Sequence, residues 1–260
     1  IVKERGELIG VIGPETPLLP FISSPRNVLV SSELATIVQA QVETLEAQGV
    51  DKIILSSHLQ SIQNEIDLVA QLDGVDVIIS GGGDELLANP GDLLLPGDEG
   101  EVYGDYPQMA TDMDGTMVPV VTTSGEYRYV GQLAVGFDKH GEVVAIEEER
   151  SGPVRVATGT CNDTLPCDDA VVPDPVVQAM VVDPVEAAVA ELAATVIGTS
   201  EVDLDGRRSP GVRTMETNEG NLIADALRWQ AAQVAGDFGA PVPDVALQNG
   251  GGIRNNTIIP

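Results

Sequence analysis

Between residues 7 and 80 three short apolar runs alternate with two helical periodicities, and this alternation constrains the fold more than any other feature. The runs are residues 7–12 (within ELIGVIG), KIILS (52–56) and VDVIIS (75–80). Between them, SSELATIVQAQVETLEAQG places Leu34, Val38, Val42 and Leu45 on one helical face. Ser32 is the expected N-cap, Glu33 suits the first turn, and Gly49 suits the position just past the helix end. IQNEIDLVAQLDG (62–74) reads as a second helix. Strand, helix, strand in this order implies a sheet with covering helices, the α/β class.

After Gly81 the texture changes. Residues 81–116 are rich in Gly, Asp and Pro and read mostly as loop. MVPVV, YRYVGQLAVGF and EVVAIEE follow as strands with short connections, expected to be antiparallel. Residues 183–198, DPVEAAVAELAATVIG, read as a connector helix closed by Gly198. A further helix begins near Thr217, and DVALQN (244–249) reads as a strand. The expected organisation is an α/β unit over 1–182, a connector over 183–198 and the start of a second α/β unit over 199–260. The chain opens at Ile1 without Met, which suggests a processed or partial chain.

Charge narrows the function. Lys and Arg number 13 against 41 acids, a formal net charge of −28. Such a surface repels nucleic acid polymers and anionic membrane. It repels phosphate too, so a phosphate site must carry its own positive charge. No apolar run is long enough to span a bilayer. Cys161 and Cys167 flank a short polar loop in GTCNDTLPCDDA. A disulfide is the expectation, with two free thiols as the alternative, and it points to an extracytoplasmic compartment.

Four stretches could carry chemistry. His58, in LSSHLQ, follows a strand. IISGGGDELL puts Asp84 and Glu85 after the next strand, and imidazole plus carboxylate can hold a divalent metal. RTMETNEGNLIADALR sets Arg213 ahead of a helix N-terminus, where anions are favoured. LQNGGGIR ends a run on Asn249, three glycines and Arg254. It is either a tight turn or backbone bare enough for an anion, with the arginine to hold it.

RTMETNEGNLIADALR followed by LQNGGGIR resembles the C-terminal domain of the bacterial and animal 5′-nucleotidases. The resemblance rests on Arg213, Glu216, Asn218, Gly220, Asn221 and Asp225, then Asn249, Gly251 and Arg254. Upstream, LIGVIG, LSSHLQ with EIDLVAQLDGVDVIISGG, and YRYVGQL resemble the second half of the family's metallophosphoesterase domain. The resemblance implies a β-sandwich flanked by helices, two divalent metals that activate water, and a C-terminal domain that binds a nucleotide or other phosphate ester. By position it makes His58 a metal ligand, and Arg213, Asn249, Gly251 and Arg254 substrate contacts. The family's Gly-His-x-His histidines read here as Gly82 and Asp84; Asp84 could still donate oxygen, Gly82 nothing. The earlier metal ligands and the catalytic Asn-His pair are expected before this chain begins, so no catalytic residue is assigned within it. The competing reading is a non-catalytic binding or surface protein that keeps the fold with a degraded metal site.

Overall fold

In the computed structural model the chain divides into two units, Ile1–Asp174 and Pro175–Pro260. The structure describes every residue except Ser24, Thr158, Asp163, Thr164 and Cys167, and of 160–162 and 165–166 only the backbone. The Cys161–Cys167 pair therefore lies outside the described residues. The expected boundary at 182 falls inside the helical run that opens the second unit.

The first unit is built on a six-stranded mixed sheet. Its strands are β1 (Val2–Glu4), β2 (Glu7–Ile12), β3 (Ile53–Ser56), β4 (Val77–Ile79), β5 (Gln108–Thr111) and β6 (Met117–Val121), in the order β1-β2-β3-β4-β6-β5. β2, β3, β4 and β6 run parallel, with Gly10 opposite Ile53, Ile54 opposite Val77 and Ile78 opposite Val120. β1 and β5 are antiparallel edges. The crossovers from β2 to β3 and from β3 to β4 carry α1 (Leu34–Glu46) and α2 (Ile62–Val69). Val38, Val42, Ile53, Leu55, Ile62 and Ile78 are buried in one core. A Cβ on Gly10 would stand 2.7 Å from Leu45 and 3.2 Å from Val50, so glycine lets α1 lie close on β2.

Several local expectations are corrected. The N-cap of α1 is Glu33, and no side chain caps it; the Ser31 hydroxyl accepts from the Glu33 amide instead. Gly49 does sit past the helix end, in the left-handed region at φ +80°. The second helix stops at Val69, well short of Gly74. MVPVV is parallel to β4 as well as antiparallel to β5, an edge strand hidden in the stretch read as loop. YRYVGQLAVGF is two strands, β7 (Tyr129–Gln132) and β8 (Val135–Phe137). β8 pairs with β9 (Val143–Ile146) and β7 with β10 (Gly152–Arg155), both antiparallel. The sheet face carrying Ile54, Ile79 and Val121 and the strands carrying Tyr129 and Phe137 line a cavity of about 780 Å³.

One carboxyl in this unit gives a pH-dependent prediction. Asp76, just before β4, accepts from the Ile53 amide at 2.6 Å. Burial pushes it up to about 7, Glu142 adds to the rise, and the Ile53 hydrogen bond opposes it. A carboxyl raised in the folded state contributes stability that is present below its unfolded value near 4 and is lost as pH rises through 7. Asp76→Asn keeps the acceptor without the charge. It should match the wild type at pH 4 and exceed it by about 2 kcal/mol at pH 8, after allowing for solvent screening. Urea unfolding at the two pH values checks this; equal stability at pH 8 contradicts it.

In the second unit, α3 (Asp183–Ala194) continues from helical turns that begin at Pro175. It ends at Ala194, before Gly198, because Thr195, Val196 and Ile197 are β-branched and resist helical packing of their side chains. β11 (Leu204–Asp205) pairs antiparallel with β12 (Ile258–Ile259). α4 (Asn218–Val234) lies between them in sequence. Residues 244–249, expected as a strand, form none. Val245 and Leu247 are exposed, and among the described residues no neighbouring strand offers them a ladder.

Candidate functional site

The parallel strands β3, β4 and β6 all end on one side of the sheet, and His58 and the 81–84 loop lie there. His58 is fixed through its backbone: its amide donates to the Pro14 carbonyl at 3.0 Å and its carbonyl accepts from the Thr16 amide at 3.1 Å. Gly82 lies against its ring. A Cβ at Gly82 would stand 2.7 Å from Cδ2 and 2.8 Å from Nε2, and the backbone there is left-handed at φ +86°. Glycine at 82 therefore leaves the Nε2 edge of the imidazole uncovered.

That edge fits a single metal donor. The carboxylates that follow in sequence make contacts of their own. The Asp84 carboxylate turns to Gly125, where a Cβ would stand 2.6 Å from Oδ1. Glu85 accepts from the Ile62 amide at 3.2 Å at the start of α2. Among the described residues no group of three or more His, Cys, Asp or Glu is arranged to hold a metal. A divalent ion at His58 would thus need donors from elsewhere.

Sequence reasoning missed Glu65. It is fully buried on α2 and accepts from the Ser57 hydroxyl at 2.6 Å and the Leu59 amide at 3.2 Å, on either side of His58. Burial pushes its carboxyl up, against the lowering effect of the hydrogen bonds. In the sequence it reads as a solvent-facing helical acid, and nothing in the pattern signals its burial.

The second unit brings its expected residues together. Thr217, near which the helix was expected to begin, caps α4, with its hydroxyl accepting from the Gly220 amide at 3.1 Å. Asn218 ties the helix start to β11: it accepts from the Asp205 amide at 2.9 Å and donates to the Asp203 carbonyl at 2.7 Å. Asn221 donates to Glu216 at 2.8 Å. Gly250–Gly252 form a single tight helical turn. A Cβ on Gly250 would collide with the Val212 carbonyl oxygen and stand 3.0 Å from the Arg213 Cα. The first glycine thus lets NGGGIR lie directly on the Val212–Arg213 peptide.

Three residues singled out from sequence converge on a fourth, Gly251. A Cβ there would stand 3.3 Å from Asn249 Nδ2 and 3.9 Å from Arg213 Nη2. Arg254 Nε donates to the Gly251 carbonyl at 2.7 Å. Arg207 and Arg228 in this unit pair with Asp205 and Asp225. Arg208, Arg213 and Arg254 have no carboxylate partner among the described residues. In so acidic a chain, two unneutralised guanidinium groups beside bare glycine backbone make a local positive spot.

Known proteins resemble this chain in sequence and in fold. Residues 196–260 match the family model for the 5′-nucleotidase C-terminal domain. A 5′-nucleotidase of Bos taurus is 30% identical over 259 residues, 98% of this chain and 41% of that protein. The crystal structure of a 5′-nucleotidase precursor from Thermus thermophilus superposes with a TM-score of 0.66 at 30% identity, over 90% of this chain and 42% of that one. An NAD nucleotidase of Haemophilus influenzae shares the fold, with a TM-score of 0.57 at 21% identity over 76% of this chain and 43% of that one. The first unit and the second therefore carry the α/β architecture of nucleotidases. The chain is similar to 5′-nucleotidases along nearly its whole length, and it spans about two fifths of the length of these relatives.

Proposed function

We propose that the chain is part of a metal-dependent phosphoric ester hydrolase of the 5′-nucleotidase type, acting on nucleotides outside the cytoplasm, in the periplasm or extracellular space. The convergence of Arg213, Asn249 and Arg254 on Gly251 carries this reading. The two guanidinium groups would grip the phosphate or sugar side of the substrate, and the glycines would let backbone approach it. Asn249 would orient the ligand through its amide. His58 would supply one nitrogen to a centre of two divalent metals. Such ions, when bound, polarise phosphoryl oxygens and lower the pKa of water. No helix among the described residues is long and apolar enough to cross a membrane. The extracytoplasmic assignment is supported by the two cysteines that stand close together in the sequence.

A second reading, a binding protein with a degraded metal site, is favoured by one observation: position 82 is a glycine in a left-handed backbone, where a ligating side chain would strike the His58 ring. Assay of residues 1–260 with AMP and Mn²⁺ bears on how the parts divide the work. Because the described residues supply one clear metal donor, turnover should stay far below about 1 s⁻¹, the low end of ordinary enzymes. Turnover at that rate would show that a complete catalytic centre lies within this chain. Binding of Mn²⁺ that survives His58→Ala unchanged would remove His58 from the metal centre.

A further inference from the structure

Glu219 is buried at the start of α4, 7% exposed, with no cationic partner among the described residues. Burying a carboxylate without a cation is unfavourable unless hydrogen bonds compensate. The helix N-terminus favours its charge, and its two oxygens take the Asn255 Nδ2 amide at 2.8 and 3.0 Å. Gly206 makes room for this pair; a Cβ there would collide with both side chains. Asn255 directly follows Arg254. The next residue, Asn256, accepts from the Arg208 amide at 2.9 Å. The exit of the NGGGIR turn is thus anchored by a buried side chain of α4, as its entry is anchored by Gly250 on Val212. Arg254 stands between the two anchors, and its guanidinium bonds to the Gly251 carbonyl inside the same turn.

We propose that Glu219 is a positioning residue for Arg254, acting through Asn255. The carboxylate holds the Asn255 amide, this fixes the chain on the far side of Arg254, and the guanidinium is presented from a rigid turn. Fixing the turn in advance removes an ordering cost from anion binding. The proposal rests on the reading of Arg254 as an anion contact.

Amide hydrogen exchange in the full chain tests it. The Gly252 and Ile253 amides close the turn, donating to Asn249 and Gly250 at 2.9 and 3.2 Å. Asn255 is itself exposed, so Asn255→Ala removes the latch without opening a cavity. In Asn255→Ala and in Glu219→Ala, exchange of these two amides should speed at least tenfold while those along α4 stay unchanged. Glu219→Gln keeps an acceptor oxygen and should restore most of the protection. Should Glu219→Ala fail to fold, Asn255→Ala decides alone. Unchanged exchange in Asn255→Ala, or a uniform rise that includes α4, overturns the positioning role. AMP titration separates the two layers. If AMP leaves the Arg254 Nε–H signal of the wild type unmoved, the anion reading fails, and the functional half of the proposal fails with it. If AMP moves that signal and Asn255→Ala leaves exchange unchanged, only the positioning role fails.

Discussion

Gly250→Val should unfold the second unit. A Cβ at Gly250 collides with the Val212 carbonyl oxygen and lies 2.7 Å from the Val212 carbonyl carbon and 3.0 Å from the Arg213 Cα. All three are backbone atoms, so no rotamer change relieves the clash. Overpacking costs about 1–3 kcal/mol where side chains can shift, and more where backbone must move. A loss of about 3 kcal/mol or more is a large share of a small unit's stability. Gly252→Ala is the control. Its Cβ meets the flexible end of the Gln248 side chain and Asn249 Oδ1 at 3.1 Å, and the Gln248 amide can swing away. Calorimetry should show the transition of the second unit lost in Gly250→Val and nearly unmoved in Gly252→Ala. Equal melting behaviour in the two variants would mean that the turn does not rest on the 212–213 peptide.

Arg254→Ala should weaken AMP binding without unfolding the unit. Arg254 is exposed, and its guanidinium is held by a carbonyl three residues away. Hydrogen bonds to charged groups contribute about 1.5–3 kcal/mol, which corresponds to a loss of roughly tenfold to a hundredfold in affinity. Arg254→Lys should recover part of this, because a point charge cannot reproduce the planar fork. Both variants should melt within about 0.5 kcal/mol of the wild type, as surface changes do. Isothermal titration with thermal unfolding separates the terms. Unchanged AMP affinity in Arg254→Ala would return NGGGIR to the status of a turn.

How much of this was legible in the sequence depends on the kind of signal. The parallel strands β2, β3 and β4 were legible because a parallel strand between crossover helices reads as a continuous apolar run. α1 and α2 were legible from their periodicity, although the ends were not: Ser32 looks like a cap, but the chain geometry gives that place to Glu33. β5, QMAT, was hidden because an edge strand with polar and small residues shows no clear alternation. DVALQN looked like a strand from its residue types, but pairing is a tertiary property, and among the described residues it has no partner. The site shows the same division. Arg213, Asn249, Gly251 and Arg254 were legible because arginines are scarce in this chain and glycines cluster beside them. Their convergence on one glycine was not legible, since it depends on β11 meeting β12 and on Gly250 meeting Val212. Glu65 and Glu219 were invisible for the opposite reason. A glutamate on a helix reads as solvated, and only the packing shows these two to be buried under the segments they hold.

In the proposed function, Arg213 and Arg254 form a phosphate grip beside Gly251. Its most direct measurement is a titration of the full chain, with labelled arginine side chains, followed by nuclear magnetic resonance, using AMP in one arm and adenosine in the other. AMP should shift the Arg213 and Arg254 guanidinium signals together, saturably and less at high salt, and adenosine should shift them much less. Arg128 and Arg155, already paired with Asp98 and Asp169, should stay still. Shifts confined to those paired arginines, or an AMP titration that moves neither Arg213 nor Arg254, would contradict it.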